Sequence, residues 1–142
     1  MAREIFKLNI LFVSLLIFAS ARLSDKDLID NGFSCENNVC KLSTLNTSVS
    51  YFFNDKSINV NATAEDVKDV IHYCDIAFKK LLNSTDSNKA KDMLSTRVKD
   101  HNNYLDENLI FYSKTFYPYF VSTGVFNNGK NVQVSCYLDY KE

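Results

Sequence analysis

The four cysteines, Cys35, Cys40, Cys74 and Cys136, carry the most distinctive chemistry in this chain. A thiol can attack as a thiolate, ligate a metal or oxidise to a disulfide. The spacing Cys35-x4-Cys40 has no second close pair and no neighbouring histidine, which argues against zinc. An even count behind an export signal argues instead for two disulfides, with no thiolate left over as a nucleophile. Of the three possible pairings, Cys35–Cys40 with Cys74–Cys136 is preferred, because Cys74 and Cys136 both fall on inward-facing positions of their elements.

The remaining chemistry is sparse. His72 and His101 could act as an acid–base pair in hydrolysis, as in secreted ribonucleases. His72, however, lies on a polar helical face between Lys68 and Asp75, and His101 lies on an apolar stripe, so a solvated and a core histidine are the plainer expectations. There is no G-x-S-x-G elbow. Asp25, Asp27 and Asp30 sit in a run resembling a calcium loop, with Glu36 near the closing position, but Leu28 and Ile29 interrupt the ligand pattern. No catalytic, cofactor or metal site is therefore assigned. Asn46-Thr47-Ser48, Asn61-Ala62-Thr63 and Asn83-Ser84-Thr85 are N-glycosylation sequons. Three is about what chance gives in a chain this rich in Asn, Ser and Thr, yet each is usable if the chain is exported and the site exposed.

The first residues decide the compartment. Arg3 and Lys7 precede an apolar run from Leu8 to Ala19, and Ala19-Ser20-Ala21 presents small residues where a signal peptidase cuts. The run is 12 residues long, short of the roughly 20 that span a bilayer. Residues 1–21 are thus read as a cleaved signal, with no stable membrane anchor afterwards. The remainder, 121 residues with a net charge of −2, suits one domain and gives no field to draw nucleic acid.

Periodicity then supplies the elements. Val67, Val70, Ile71, Cys74, Ala77, Phe78, Leu81 and Leu82 recur at helical spacing, which predicts a helix over residues 64–82 with Thr63 as N-cap. Asn61 and Asn83 would then stand at its two ends. Ala90, Leu94, Val98, His101 and Leu105 predict a second, narrower helix over residues 86–105. Val132, Val134, Cys136, Leu138 and Tyr140 alternate with polar residues, as in a strand with one buried face. Asn127-Asn128-Gly129-Lys130 supplies a hairpin turn to a strand at residues 119–126. Residues 48–53, 58–60 and 109–112 read as further strands, and residues 22–46 are poorly patterned. The expectation is an α+β domain over residues 47–142: one or two helices on an antiparallel sheet of four to five strands, stapled by two disulfides. This order of elements resembles the cystatin and NTF2-like rolls in architecture. The glutamine–valine–glycine hairpin of cystatin-type inhibitors is absent, since Gln133-Val134-Ser135 lies in the last strand and lacks the glycine. The resemblance therefore carries no residue roles.

Seven aromatics crowd into residues 111–126: Phe111, Tyr112, Phe116, Tyr117, Tyr119, Phe120 and Phe126. Such rings fill the core of a small sheet and cover its faces, yet Phe116, Tyr117, Tyr119 and Phe120 form the candidate binding surface. The functional expectation is a secreted, glycosylated, non-enzymatic protein that binds another macromolecule as an effector, inhibitor or recognition factor. The alternatives are an extracellular carrier of a small apolar ligand and a small hydrolase using His72 or His101.

Overall fold

The computed structural model describes residues 23–103, 110–127 and 130–141, and side chains except those of residues 100–103, 110, 111 and 127. Within them lie three helices and seven strands: α1 (Asp25–Ile29), β1 (Ser34–Glu36), β2 (Val39–Ser43), β3 (Thr47–Phe53), β4 (Ser57–Ala64), α2 (Val67–Leu81), α3 (Ser84–Asn103), β5 (Ile110–Phe116), β6 (Tyr119–Asn127) and β7 (Val132–Tyr140). All strand pairs are antiparallel, in the order β1-β2-β3-β4-β7-β6-β5. The architecture is thus α+β with helices on an antiparallel sheet, as expected, but the sheet is larger than four to five strands.

The layering follows from alternation. Ile58, Val60, Ala62 and Ala64 on β4, Val132, Val134, Cys136 and Leu138 on β7, and Val121, Thr123 and Val125 on β6 are all buried, and they share one face by register. The helices pack there. On α2, Val70, Cys74, Ala77 and Phe78 are buried, and on α3, Ala90, Leu94 and Val98. Cys74 and Cys136 form a disulfide that ties α2 to the interior strand β7. Tyr51 of β3 donates its hydroxyl to the Tyr73 carbonyl and packs edge-on against Phe33, 5.2 Å between centroids. Burial pushes the Tyr51 hydroxyl far above its ordinary range, so it stays neutral and donating.

Residues 23–46 hold more order than their pattern predicts. Ser24 donates its N–H and its hydroxyl to the Asp27 carboxylate, 2.9 and 3.0 Å, at the start of α1. That carboxylate serves a helix start and not a calcium loop. Gly32, at φ +90°, turns the chain out of α1 and delivers Phe33 to the core. Asn37 and Asn38 both take positive φ, the torsions of a tight hairpin between β1 and β2. Cys35 and Cys40 face each other across that hairpin and are bonded.

Two expected boundaries are corrected. Residue 64 ends β4 and does not start the helix, and the N-cap is Asp66, whose side chain accepts from the Lys68 N–H at 2.9 Å. Asn61 consequently sits inside β4 and not at a helix end. Residues 1–22, Leu105, Leu109, Asn128, Gly129 and the side chains of His101 and Phe111 lie outside the described residues.

Candidate functional site

The antiparallel register brings four chain segments to one end of the sheet. These are the close of β3, the opening of β4, the opening of β6 and the close of β7. Between them and the last turn of α2 lies a half-open cleft of about 860 Å³. Its apolar wall comprises Leu23, Phe53, Ile58, Leu81, Leu138 and the rings of Tyr119 and Tyr140, which meet edge-on at 5.5 Å. Asp25, Asn38, Asp55, Lys56 and Ser57 add polar groups to the lining. Ligand cavities commonly run to several hundred Å³ with this mix of apolar walls and a few polar groups.

The rim is held by backbone hydrogen bonds between segments distant in sequence. The Phe53 N–H donates to the Asn38 carbonyl at 2.9 Å, which fixes the β1–β2 turn against the end of β3. The Tyr140 N–H donates to the Lys56 carbonyl and the Lys141 N–H to the Pro118 carbonyl, both at 2.7 Å. Those two bonds anchor the β3–β4 turn and the β5–β6 turn to the end of β7. Beside that last bond Lys141 pairs with Asp139 at 2.7 Å, and this hydrogen bond raises the lysine pKa. The cleft is therefore formed by the fold before any occupant arrives.

The aromatic quartet divides among different surroundings. Phe116 is buried, with the Lys114 ammonium 5.4 Å from its ring. Tyr117 is 79% exposed at the two-residue β5–β6 turn. Tyr119 lines the cleft, whereas Phe120, one residue on, belongs to the opposite face of the sheet. Of the four only Tyr119 lines the cleft, while its register partner Phe116 and the turn residue Tyr117 lie at the same end of the sheet. What sequence reasoning missed is the rest of the wall, supplied by Leu23, Phe53, Ile58, Leu81 and Leu138. Their apolar character was visible, but only the strand register gathers them.

The other candidate groups lie elsewhere. His72 is exposed on α2, its ring 5.4 Å from that of Tyr73. Asp25 approaches both sulfurs of the Cys35–Cys40 pair, but bonded sulfurs are poor metal ligands. A buried carboxylate with two exposed lysines joins α2 and α3: Asp75 is 3.0 Å from Lys79 and 3.5 Å from Lys91. Its other oxygen and the Ser87 hydroxyl are buried without a partner among the described residues. A second, shallower groove lies between α3 and β5, where Arg97 sits 3.7 Å above the Tyr112 ring. Asn46 is exposed in the β2–β3 turn, and Asn83 is exposed and accepts from the Asp86 N–H at 2.8 Å at the start of α3. Compared with known proteins, the chain matches no family model, no curated protein and no solved structure.

Proposed function

We propose that this chain acts outside the cell as a non-enzymatic recognition protein that takes an apolar side chain of a macromolecular partner into the cleft beside Tyr119. The single observation that carries the reading is that cleft: preformed, apolar-walled and polar at its rim, at the end of the sheet where the β5–β6 turn carries the exposed Tyr117. Pockets that accept one anchoring side chain, surrounded by water-excluding contacts, dominate the energetics of protein interfaces. The extracellular setting is supported by the pairing of all four cysteines.

The same cleft favours a second reading, a carrier of a free apolar ligand, because its volume would hold one. A photo-crosslinking residue at Tyr117, compared with one at Ser113 on β5, distinguishes these ideas. The recognition reading expects a saturable crosslink to an extracellular protein from position 117 only, lost in Ile58→Asp. A stoichiometric lipid in the organic extract of the purified protein, with no protein crosslink, would transfer the case to the carrier. Equal crosslinking from both positions would refute the assignment of the cleft.

A further inference from the structure

The helices occupy one face of the sheet, and the opposite face is open among the described residues. By register, one row across it reads Ser34, Lys41, Ser50, Asn61, Ser135, Gly124 and Phe111, on β1, β2, β3, β4, β7, β6 and β5. From Lys41 to Gly124 it runs about 19 Å at ordinary strand spacing. Between the exposed Lys41 and Phe111 the neighbours of Asn61 are serines and the glycine, so that stretch forms a shallow trough. The adjoining row holds Val39, Phe52, Asn59, Tyr137, Ser122 and Ser113, with two aromatic rings flanking the trough. On the other side stand Thr63, Gln133 and Phe126.

Asn61 is at the middle strand of this trough and is the acceptor of a sequon whose Thr63 shares the same face. The carboxamide nearest it in register is engaged, since Asn59 accepts from the Ser135 hydroxyl at 3.4 Å. The Asn61 carboxamide has no hydrogen bond among the described residues. Ser50 and Ser135, directly opposite it on either side, are too small to obstruct its nitrogen.

We infer that the open face of the sheet is covered by the chain's own N-linked glycan, carried on Asn61 and lying along the Ser50–Asn61–Ser135–Gly124 trough. The inference rests on the extracellular reading above, since only the secretory route supplies the sugar. The donor is a lipid pyrophosphate-linked oligosaccharide. Asn61 Nδ2 bonds to its anomeric carbon, the carbon–oxygen bond to pyrophosphate breaks, and one amide proton leaves; nothing is oxidised or reduced. Transfer takes place on the unfolded chain, and β4 then carries the sugar to the centre of the face as the sheet closes. The serine hydroxyls and the Gln133 amide match sugar hydroxyls, while the Phe52, Tyr137 and Phe126 rings offer apolar surface to the C–H faces of the sugars. A glycan there also keeps this face from packing on a second sheet. It leaves the cleft, which opens on the helix side of the sheet end, free for a partner.

The test uses the wild-type protein exported by eukaryotic cells. Site occupancy and the rate of enzymatic glycan release are read peptide by peptide, in the native and the denatured protein. The inference expects Asn61 to be occupied and its glycan to be released roughly tenfold more slowly than those at Asn46 and Asn83 in the native state, the difference vanishing on denaturation. It further expects Asn61→Gln, unlike Thr85→Ala, to self-associate with rising concentration. Export with glycans at Asn46 and Asn83 but none at Asn61 would overturn this inference alone. Equal release rates from all three sites in the native protein would show a glycan pointing into solvent and would also overturn it. Failure of export, with no site modified, would overturn it together with the extracellular reading.

Discussion

Replacing both Cys74 and Cys136 by alanine should destabilise the domain about twice as much as replacing both Cys35 and Cys40. The first pair spans 62 residues and the second only 5. In the chain-entropy account these closures are worth about 4 and about 2 kcal/mol. Packing widens the gap, because Cys74 and Cys136 are both fully buried where α2 meets β7, whereas Cys35 is only half-buried on a short edge hairpin. The assay is equilibrium urea unfolding of the oxidised variants. With an m-value of about 2 kcal/mol per molar, the midpoint should fall by roughly 2 M for the long-range pair and roughly 1 M for the hairpin pair. The long-range variant should also show the larger m-value, since its unfolded chain exposes more surface. Equal midpoints for the two variants, or a larger loss at Cys35–Cys40, would refute the reasoning, because α2 would then not depend on its staple to β7.

Three smaller perturbations test other parts of the account. Lys79→Ala and Lys91→Ala should each cost under about 1 kcal/mol, because either lysine alone still pairs the buried Asp75 carboxylate, while the double change should cost about 3 kcal/mol and exceed the sum; a thermal-unfolding double-mutant cycle reads this, and strict additivity would count against the cluster. Asp27 is held below its ordinary pKa of 3.8 chiefly by the Ser24 N–H, so its stabilisation is present in full above that pH and fades as pH falls through the lowered value. Asp27→Asn should therefore flatten the acid limb of a Tm–pH profile below its ordinary pKa of 3.8, and an unchanged limb would remove Asp27 from the acid response. Asn83→Ala should cost about 1 kcal/mol through the lost cap on the Asp86 N–H, but Thr85→Ala, which removes only the sequon, should leave the melting temperature of unglycosylated protein within a degree or so.

Much of the fold was legible because burial writes itself into period. The apolar stripe of α2 and the alternation of β7 placed Cys74 and Cys136 inward, and their bond followed from that agreement. The short strands β1 and β2 are not legible because three and five residues are too few to show a period. Their signal was the Asn37-Asn38 pair, which tolerates the positive torsions of a tight turn. The start of α2 was drawn too early because Ala62 and Ala64 suit a helix as well as a strand, and only the run from Ile58 to Ala64, alternating with Asn59, Asn61 and Thr63, marks it as β4. That error moved Asn61 from a sheet centre to a helix end. The cleft was not legible at all. Ile58 and Leu138 become neighbours only through the β4–β7 pairing, and Leu23 and Leu81 reach them only as the N-terminal segment and α2 pack on the sheet, which no local pattern encodes.

The central claim is that the chain works outside the cell as a two-disulfide domain, and the intact mass of the protein released by eukaryotic cells tests it most directly. After deglycosylation the account predicts the mass of residues 22–142, rising by four hydrogens on reduction of the two bridges. Retention of residues 1–21, failure of the protein to leave the cell, or no mass gain on reduction would contradict it.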